Sequence, residues 1–200
     1  PAELALFVAM ASGHVLYPLW LLAVVTGCRP GELRALTWDD VDRDAGTIAV
    51  TKTLARIGGE WVVTTPKTRA GVRTVTLPPE GVQALAKQRK LQARWKRGPA
   101  WQGWRADLVF TRSNGQPLHG GKVAKALHSE CDRLGLPHLT PHQLRHLHAS
   151  LLLAEGLPVP AVAARLGHAS PNVTMAVYAH MMGDDAAAAD AVARALGGAM

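Results

Sequence analysis

Cysteine is scarce. The 200 residues hold two, Cys28 and Cys131, in no CxxC pair, which gives neither a disulfide framework nor a thiolate metal site and fits reduced thiols in a cytoplasmic protein. No membrane-length apolar run exists: the longest, Val15 to Val25, is interrupted by Pro18 and falls short of the ~20 residues a spanning helix needs. The first residues lack the basic start and cleavage pattern of a secretory signal. Internal repeats and low-complexity linkers are missing too, so one domain is expected over 1–200. Acid is in deficit, with 15 Asp and Glu against 22 Lys and Arg, for a net charge of +7 and a pI near 9.9. That balance points to a polyanionic partner, of which nucleic acid is the commonest.

The deficit is sharpest in "KQRKLQARWKRGPAWQGWR", from Lys87 to Arg105, which carries seven basic residues, three tryptophans and no acid. The tryptophans read as structural, and the cations as a sequence-independent field for phosphates. An apolar fraction of 48% is ample for a folded core.

Hydrophobic periodicity predicts apolar helices over 2–12 and 15–26, then a short helix opened by Pro30. The period then changes. "GTIAVTKT" (46–53), "EWVVTT" (60–65) and "VRTVTLP" (72–78) are β-branched and roughly alternating, separated by "RIGG" and "PKTRAG", and predict a three-stranded antiparallel meander. Helices follow at about 79–96, 121–135, 140–155, 158–166, 171–181 and 185–197. The fold class is therefore mainly α with a small three-stranded antiparallel sheet.

"TPHQLRHLHAS" (140–150) places three histidines and an arginine at a helix start. Thr140 is suited to the N-cap, Pro141 to N1 and Gln143 to a capping box. His142 and Arg145, three apart, share a face beside the free N–H groups of the first turn, a good grip for phosphate. A zinc helix is the rival reading. It is disfavoured because Gln-Leu-Arg separates His142 from His146, Arg145 would repel a dication, and no further ligand cluster is nearby. His146 and His148 read as structural.

"TPHQLRHLHASLLL" resembles the His-x-x-Arg box of the tyrosine recombinase (phage integrase) family, and three further segments resemble its other boxes in order. "TGCRPGELRALTWDDVD" is similar to the first arginine box and places its arginine at Arg29. "TPKTRAGVRTVTLP" is similar to the hairpin that bears the family's lysine, at Lys67. "ARLGHASPNVTMAVYAHM" is similar to the last box, with His168 and the nucleophile Tyr178. The match runs over essentially the whole chain as the family's C-terminal catalytic domain, with the N-terminal core-binding domain absent. Gln143 stands where many integrases have Asp, and His148 where a small or apolar residue is more usual.

The resemblance implies a DNA integrase or recombinase that cuts and rejoins double-stranded DNA at attachment-type sites through a 3′-phosphotyrosine on Tyr178. Arg29, Arg145 and His168 would hold the phosphate. His142 would manage the tyrosine proton, and Lys67 would protonate the leaving 5′-oxygen. Glu32 would support the arginine box by pairing. No metal and no cofactor are implied, and the working form would be a homotetramer on DNA in a bacterial cytoplasm, with the 185–197 helix docking on a neighbour. Rival readings are a chromosome-dimer resolvase of the same family, a type IB topoisomerase, a silent DNA-binding module and a small metal-dependent nuclease.

Overall fold

The computed structural model describes residues 11–66 and 68–178, with side chains described up to Met175. The first predicted helix (2–12) and the last (185–197) lie outside the described residues, except that 11–13 forms a single 3-10 turn.

Helix α1 (Tyr17–Thr26) is apolar all round and almost wholly buried, as a helix without a polar face must be. It packs against α3 (Pro79–Lys96) on one side and α5 (Pro141–Ala154) on another. The short α2 (Pro30–Ala35) follows directly, with Pro30 at its first position, where a missing N–H is harmless. Helices α4 (Gly120–Leu134), α6 (Val159–Leu166) and α7 (Pro171–Tyr178) complete the helical part. The main core joins Trp20, Leu22, Leu33, Ile48, Val75, Phe110, Leu127 and Leu144, while Ala149, Val162 and Leu166 form a smaller cluster under α5 and α6. Buried Gln88 and Gln92 on α3 donate to the carbonyls of Val109 (2.8 Å) and Leu108 (2.7 Å), so their burial is matched by partners.

The sheet corrects the expected meander. Its three strands are β1 (Val41–Asp42), β2 (Thr47–Val50) and β5 (Arg73–Thr76), antiparallel in the order β1-β2-β5 with Ala49 opposite Thr74. The run 46–53, read as one strand, breaks at Thr51–Lys52. Beyond the break, β3 (Thr53–Ile57) pairs with β4 (Glu60–Thr64) in a separate hairpin. Gly58 and Gly59 (φ 58° and 89°) make its two-residue turn, a geometry that requires left-handed backbone at both positions. Lys52 bridges to Asp40 at 2.9 Å at the break. Hydrophobic alternation survives in both halves: Ile48 and Val50 face the core from β2, Leu54 from β3.

The Lys87–Arg105 segment divides between α3 and a loop. Trp95, Trp101 and Trp104 are half-buried, and not core residues. Lys96 lies over the Trp101 ring and Arg105 over Trp104, at 5.7 and 4.7 Å from the ring centres.

Candidate active site

Arg29 occupies the N-cap of α2, in extended backbone conformation, two residues after the left-handed Gly27 that ends α1. Glu32, one turn into α2, reaches back. Its Oε2 accepts from the Arg29 backbone N–H at 2.8 Å, and its Oε1 from the Arg29 guanidinium at 2.9 Å. The same carboxylate accepts from Arg73 Nη2 at 3.0 Å. Glu32 and the Arg73 side chain are both buried, whereas the Arg29 side chain is 42% exposed. Burial alone would raise the Glu32 carboxyl. The Arg73 and Arg29 hydrogen bonds and the Arg73 charge outweigh it and hold the group below its ordinary value. Arg73 does more than pair: Nε donates to the Arg165 carbonyl (2.8 Å) and Nη1 to that of Gly71 (3.0 Å). One guanidinium thus ties β5, the 66–71 loop, α2 and the end of α6.

Arg145 is placed by the cap that the sequence predicts. Gln143 N donates to Thr140 Oγ1 at 3.1 Å and Gln143 Oε1 accepts from Thr140 N at 2.7 Å, with Pro141 at N1. Starting there, α5 directs Arg145 into the interior, 3% exposed, where it donates to the carbonyls of Gly27 (2.6 Å) and Leu166 (2.8 Å). Burial, followed by the Arg29 charge, pulls its pKa down to about 10, so it remains a cation at neutral pH. Beneath it, His148 lies against the Val24 carbonyl (2.7 Å) and accepts from Arg165 Nε at 3.1 Å. Burial, then the Arg165 charge, lowers His148 to about 4 and keeps it neutral. His146 is half-buried, its ring set edge-on to that of His142 at 4.7 Å.

His168 follows α6 directly. Its Nδ1 is 2.8 Å from Thr174 Oγ1, a fully buried hydroxyl on α7. Burial, then the charges of Arg145, Arg29 and Arg73, lower His168 to about 4. His142, exposed on the first turn of α5, is lowered by partial burial, His146, Arg145 and Arg29. The Arg29 charge acts on Arg145, His142 and His168 alike, so four of the six sequence-predicted positions form one electrostatic cluster. A cleft of about 540 Å³ opens beside it, lined by Arg29, Glu32, Thr53, Pro66, Thr68 and His168, among others.

Two sequence-predicted positions lie outside this description. Lys67 is not among the described residues, although its chain neighbours Pro66 and Thr68 line the cleft. Tyr178 is the last residue of α7, and its side chain lies outside the described set. The loop ending at Gly71 also meets the other wall at Gly167. A Cβ on Gly167, which has φ 69°, would stand 2.8 Å from the Ala70 carbonyl oxygen, so glycine is needed there for conformation and for closeness. Sequence reasoning missed Arg73 and Arg165. In sequence both are ordinary basic residues, one in a strand and one in the last turn of a helix; the signal available was a cation at an inward position of an otherwise apolar pattern.

A cluster of buried and half-exposed arginines with neutral imidazoles, on a mainly helical frame with one small sheet, defines a site built for an anion. The comparisons give the class a family. The model of the phage integrase family matches residues 7–183, and the chain belongs to this family of tyrosine recombinases. It is 30% identical over 182 residues to the tyrosine recombinase XerC-like protein of Caldanaerobacter subterraneus, covering 85% of this chain and 46% of that one. An integrase of Streptomyces ambofaciens is 33% identical over 181 residues, covering 84% and 45%. The chain spans about half the length of the curated relatives it matches. Among solved structures, the Tn1549 transposon integrase in complex with transposon right end DNA has the same fold, with a TM-score of 0.84 at 24% identity over 98% of this chain and 65% of that one. No helix among the described residues is long and apolar enough to cross a membrane.

Proposed function

We propose that residues 1–200 form the catalytic domain of a site-specific DNA integrase that cleaves and rejoins double-stranded DNA through a 3′-phosphotyrosine, without metal or cofactor. The observation that carries the reading is the cationic cluster of Arg29, His142, Arg145 and His168, in which Arg29 and His168 line the cleft and Arg145 is bonded to the carbonyls of Gly27 and Leu166, each two residues from one of them. A phosphodiester gains charge in its transition state, and prearranged guanidinium donors stabilise that gain.

In this reading Arg29 and Arg145 bond the non-bridging oxygens. If the Thr174 hydroxyl donates to His168 Nδ1, the Nε2–H of the neutral ring is left as a third donor. Tyr178 Oη attacks phosphorus. Its proton must leave first, against a gap of about three pKa units or roughly 4 kcal/mol at neutral pH. His142, lowered below its ordinary value and therefore neutral, is suited to accept that proton. The P–O5′ bond breaks as the P–Oη bond forms, and Lys67 gives the 5′-oxygen its proton. The bond energy is kept in the phosphotyrosine, so the 5′-hydroxyl of another strand can reverse the sequence. The assembly on DNA is a homotetramer within the bacterial cytoplasm.

The test is covalent trapping. The full-length protein and its Tyr178→Phe variant are incubated in EDTA with nicked duplexes whose cut fragment diffuses away, using the flanks of the encoding element or a randomised pool. A protein–DNA band on a denaturing gel, absent from the variant, is the expected result; no band with the parent would overturn the reading. Likeness to the XerC-like relative favours a second reading, a chromosome-dimer resolvase with the same chemistry. Trapping on chromosomal rather than element-flanking sites would select it.

A further inference from the structure

A histidine ring carries two nitrogens, and the structure gives those of His168 different surroundings. Nδ1 lies 2.8 Å from Thr174 Oγ1. Nε2 has no hydrogen-bond partner among the described residues, and His168 lines the reaction cleft. Burial, then the Arg145, Arg29 and Arg73 charges, hold the ring well below its ordinary value, so it is neutral at neutral pH. A neutral imidazole has one N–H and one bare acceptor nitrogen. The place of that proton decides what the cleft receives. On Nε2 it offers a donor to an anion; on Nδ1 it leaves a lone pair turned towards the anion.

The Thr174 hydroxyl is fully buried on α7, out of reach of bulk water. Thr26 on α1 takes the common alternative for a helical threonine, donating to the carbonyl one turn back, at Leu22. Thr174 makes no such bond, and His168 Nδ1 is the one partner of its hydroxyl among the described residues. A buried hydroxyl proton left unpaired carries its whole desolvation penalty. The hydroxyl proton therefore goes to Nδ1, and the ring's own proton stays on Nε2. The backbone beneath the ring is fixed separately: α6 ends at left-handed Gly167, and His168 N donates back to the Ala163 carbonyl at 3.0 Å. Helix α7 packs on α6 and ends at Tyr178, four residues after Thr174.

We propose that Thr174 is a positioning residue for DNA cleavage: its hydroxyl donates to His168 Nδ1 and so holds the ring with Nε2–H available to the phosphate. The proposal rests on the reading of the cleft as a DNA-cleaving site and extends it to a residue on the helix of the nucleophile. That helix then has two tasks, since the third phosphate donor is in place only while α7 is seated on α6.

The test uses the full-length chain with isotopically labelled histidine nitrogens, read by NMR at neutral pH, with the His168 signals identified by their loss in His168→Gln. The parent should show a protonated Nε2 and a bare Nδ1. Thr174→Val, which keeps the shape and removes the hydroxyl, should lose that fixed pattern, and Thr174→Ser should restore it. A proton on Nδ1 in the parent, or an unchanged pattern in Thr174→Val, would overturn the proposal. Covalent trapping rates give the second readout. Removing a whole transition-state donor costs about 10²–10³-fold, and Thr174→Val, which only loosens one, should slow trapping by about tenfold, with Thr174→Ser close to the parent. Because Thr174 acts through the ring, adding Thr174→Val to His168→Gln should cost nothing more. Losses that multiply would assign Thr174 to helix packing and overturn the proposal. A parent that forms no adduct would sink the cleavage reading, and the NMR pattern would then decide alone whether Thr174 sets the ring.

Discussion

Arg145 and Arg73 are two buried cations in one site, and each donates to two main-chain carbonyls, yet only Arg73 also needs a side-chain carboxylate. Arg145 bonds to the main-chain carbonyls of Gly27 and Leu166, at the ends of two packed helices. Arg73 depends chiefly on a side chain, the Glu32 carboxylate, which it shares with Arg29. Main-chain acceptors are set by helix packing and survive any nearby side-chain replacement. A shared carboxylate can be removed by one substitution, and both arginines then lose it together. One wall of the cleft is therefore held by main-chain acceptors alone, and the other by the Arg165 and Gly71 carbonyls together with one carboxylate.

The difference is broken most directly by Glu32→Gln, which keeps the volume and removes the charge. It should leave Arg73 buried without its counter-ion and lower stability by about 3–5 kcal/mol in urea unfolding. A loss under ~1 kcal/mol would mean that the carbonyls of Arg165 and Gly71 suffice. Acid acts in the same direction. Because the folded Glu32 carboxyl lies below its ordinary value, its contribution is present above the unfolded pKa and is lost as pH falls through the folded one.

The main-chain wall answers to a different pH range. His148 stays neutral down to about 4, whereas an unfolded histidine protonates near 6.5. Stability should therefore decline as pH falls from 6.5 towards 4, by about 3 kcal/mol from this group. Thermal midpoints across that range should fall less steeply in His148→Leu, with the remaining slope contributed by His168, which is also lowered to about 4. Equal slopes in parent and variant would remove His148 from the account.

Arg73→Lys keeps the charge and loses the fork. One ammonium cannot span Glu32, Arg165 and Gly71 together, so a loss of about 2 kcal/mol is expected in the same urea experiment. The smallest effect belongs to Thr140→Ala, which removes the cap of the helix that carries Arg145. It should lower stability by about 1 kcal/mol, and a trapping yield at saturating DNA that holds steady would show that helix packing, rather than the cap, fixes Arg145.

What was legible in the sequence was local. The Thr140–Gln143 capping box and Pro30 at a helix start depend on residues within one turn of each other, and the structure has them where the pattern puts them. Four boxes in order gave the family, and four of their six positions meet at one site. The strand order was not legible, because β2 skips a hairpin to pair with β5, and Ile48 opposite Val75 is a contact between distant segments. In the run 46–53 the inward register of Ile48 and Val50 continues onto Lys52, and that one charge was the only mark of the bend at Thr51–Lys52. Arg73 escaped notice for the same reason: its partner Glu32 is 41 residues away in sequence.

Gly167 and the Ala70 carbonyl form a seam between the segment that bears Lys67 and the one that bears His168. Their chain lengths are therefore coupled: a residue added on either side displaces the other. The Gly58–Gly59 turn is the opposite case, with nothing within 4 Å of a Cβ placed at either glycine. For anyone fitting a dye, an affinity tag or a fused domain to this protein, the hairpin tip is the attachment point and the seam is the stretch to leave at its native length.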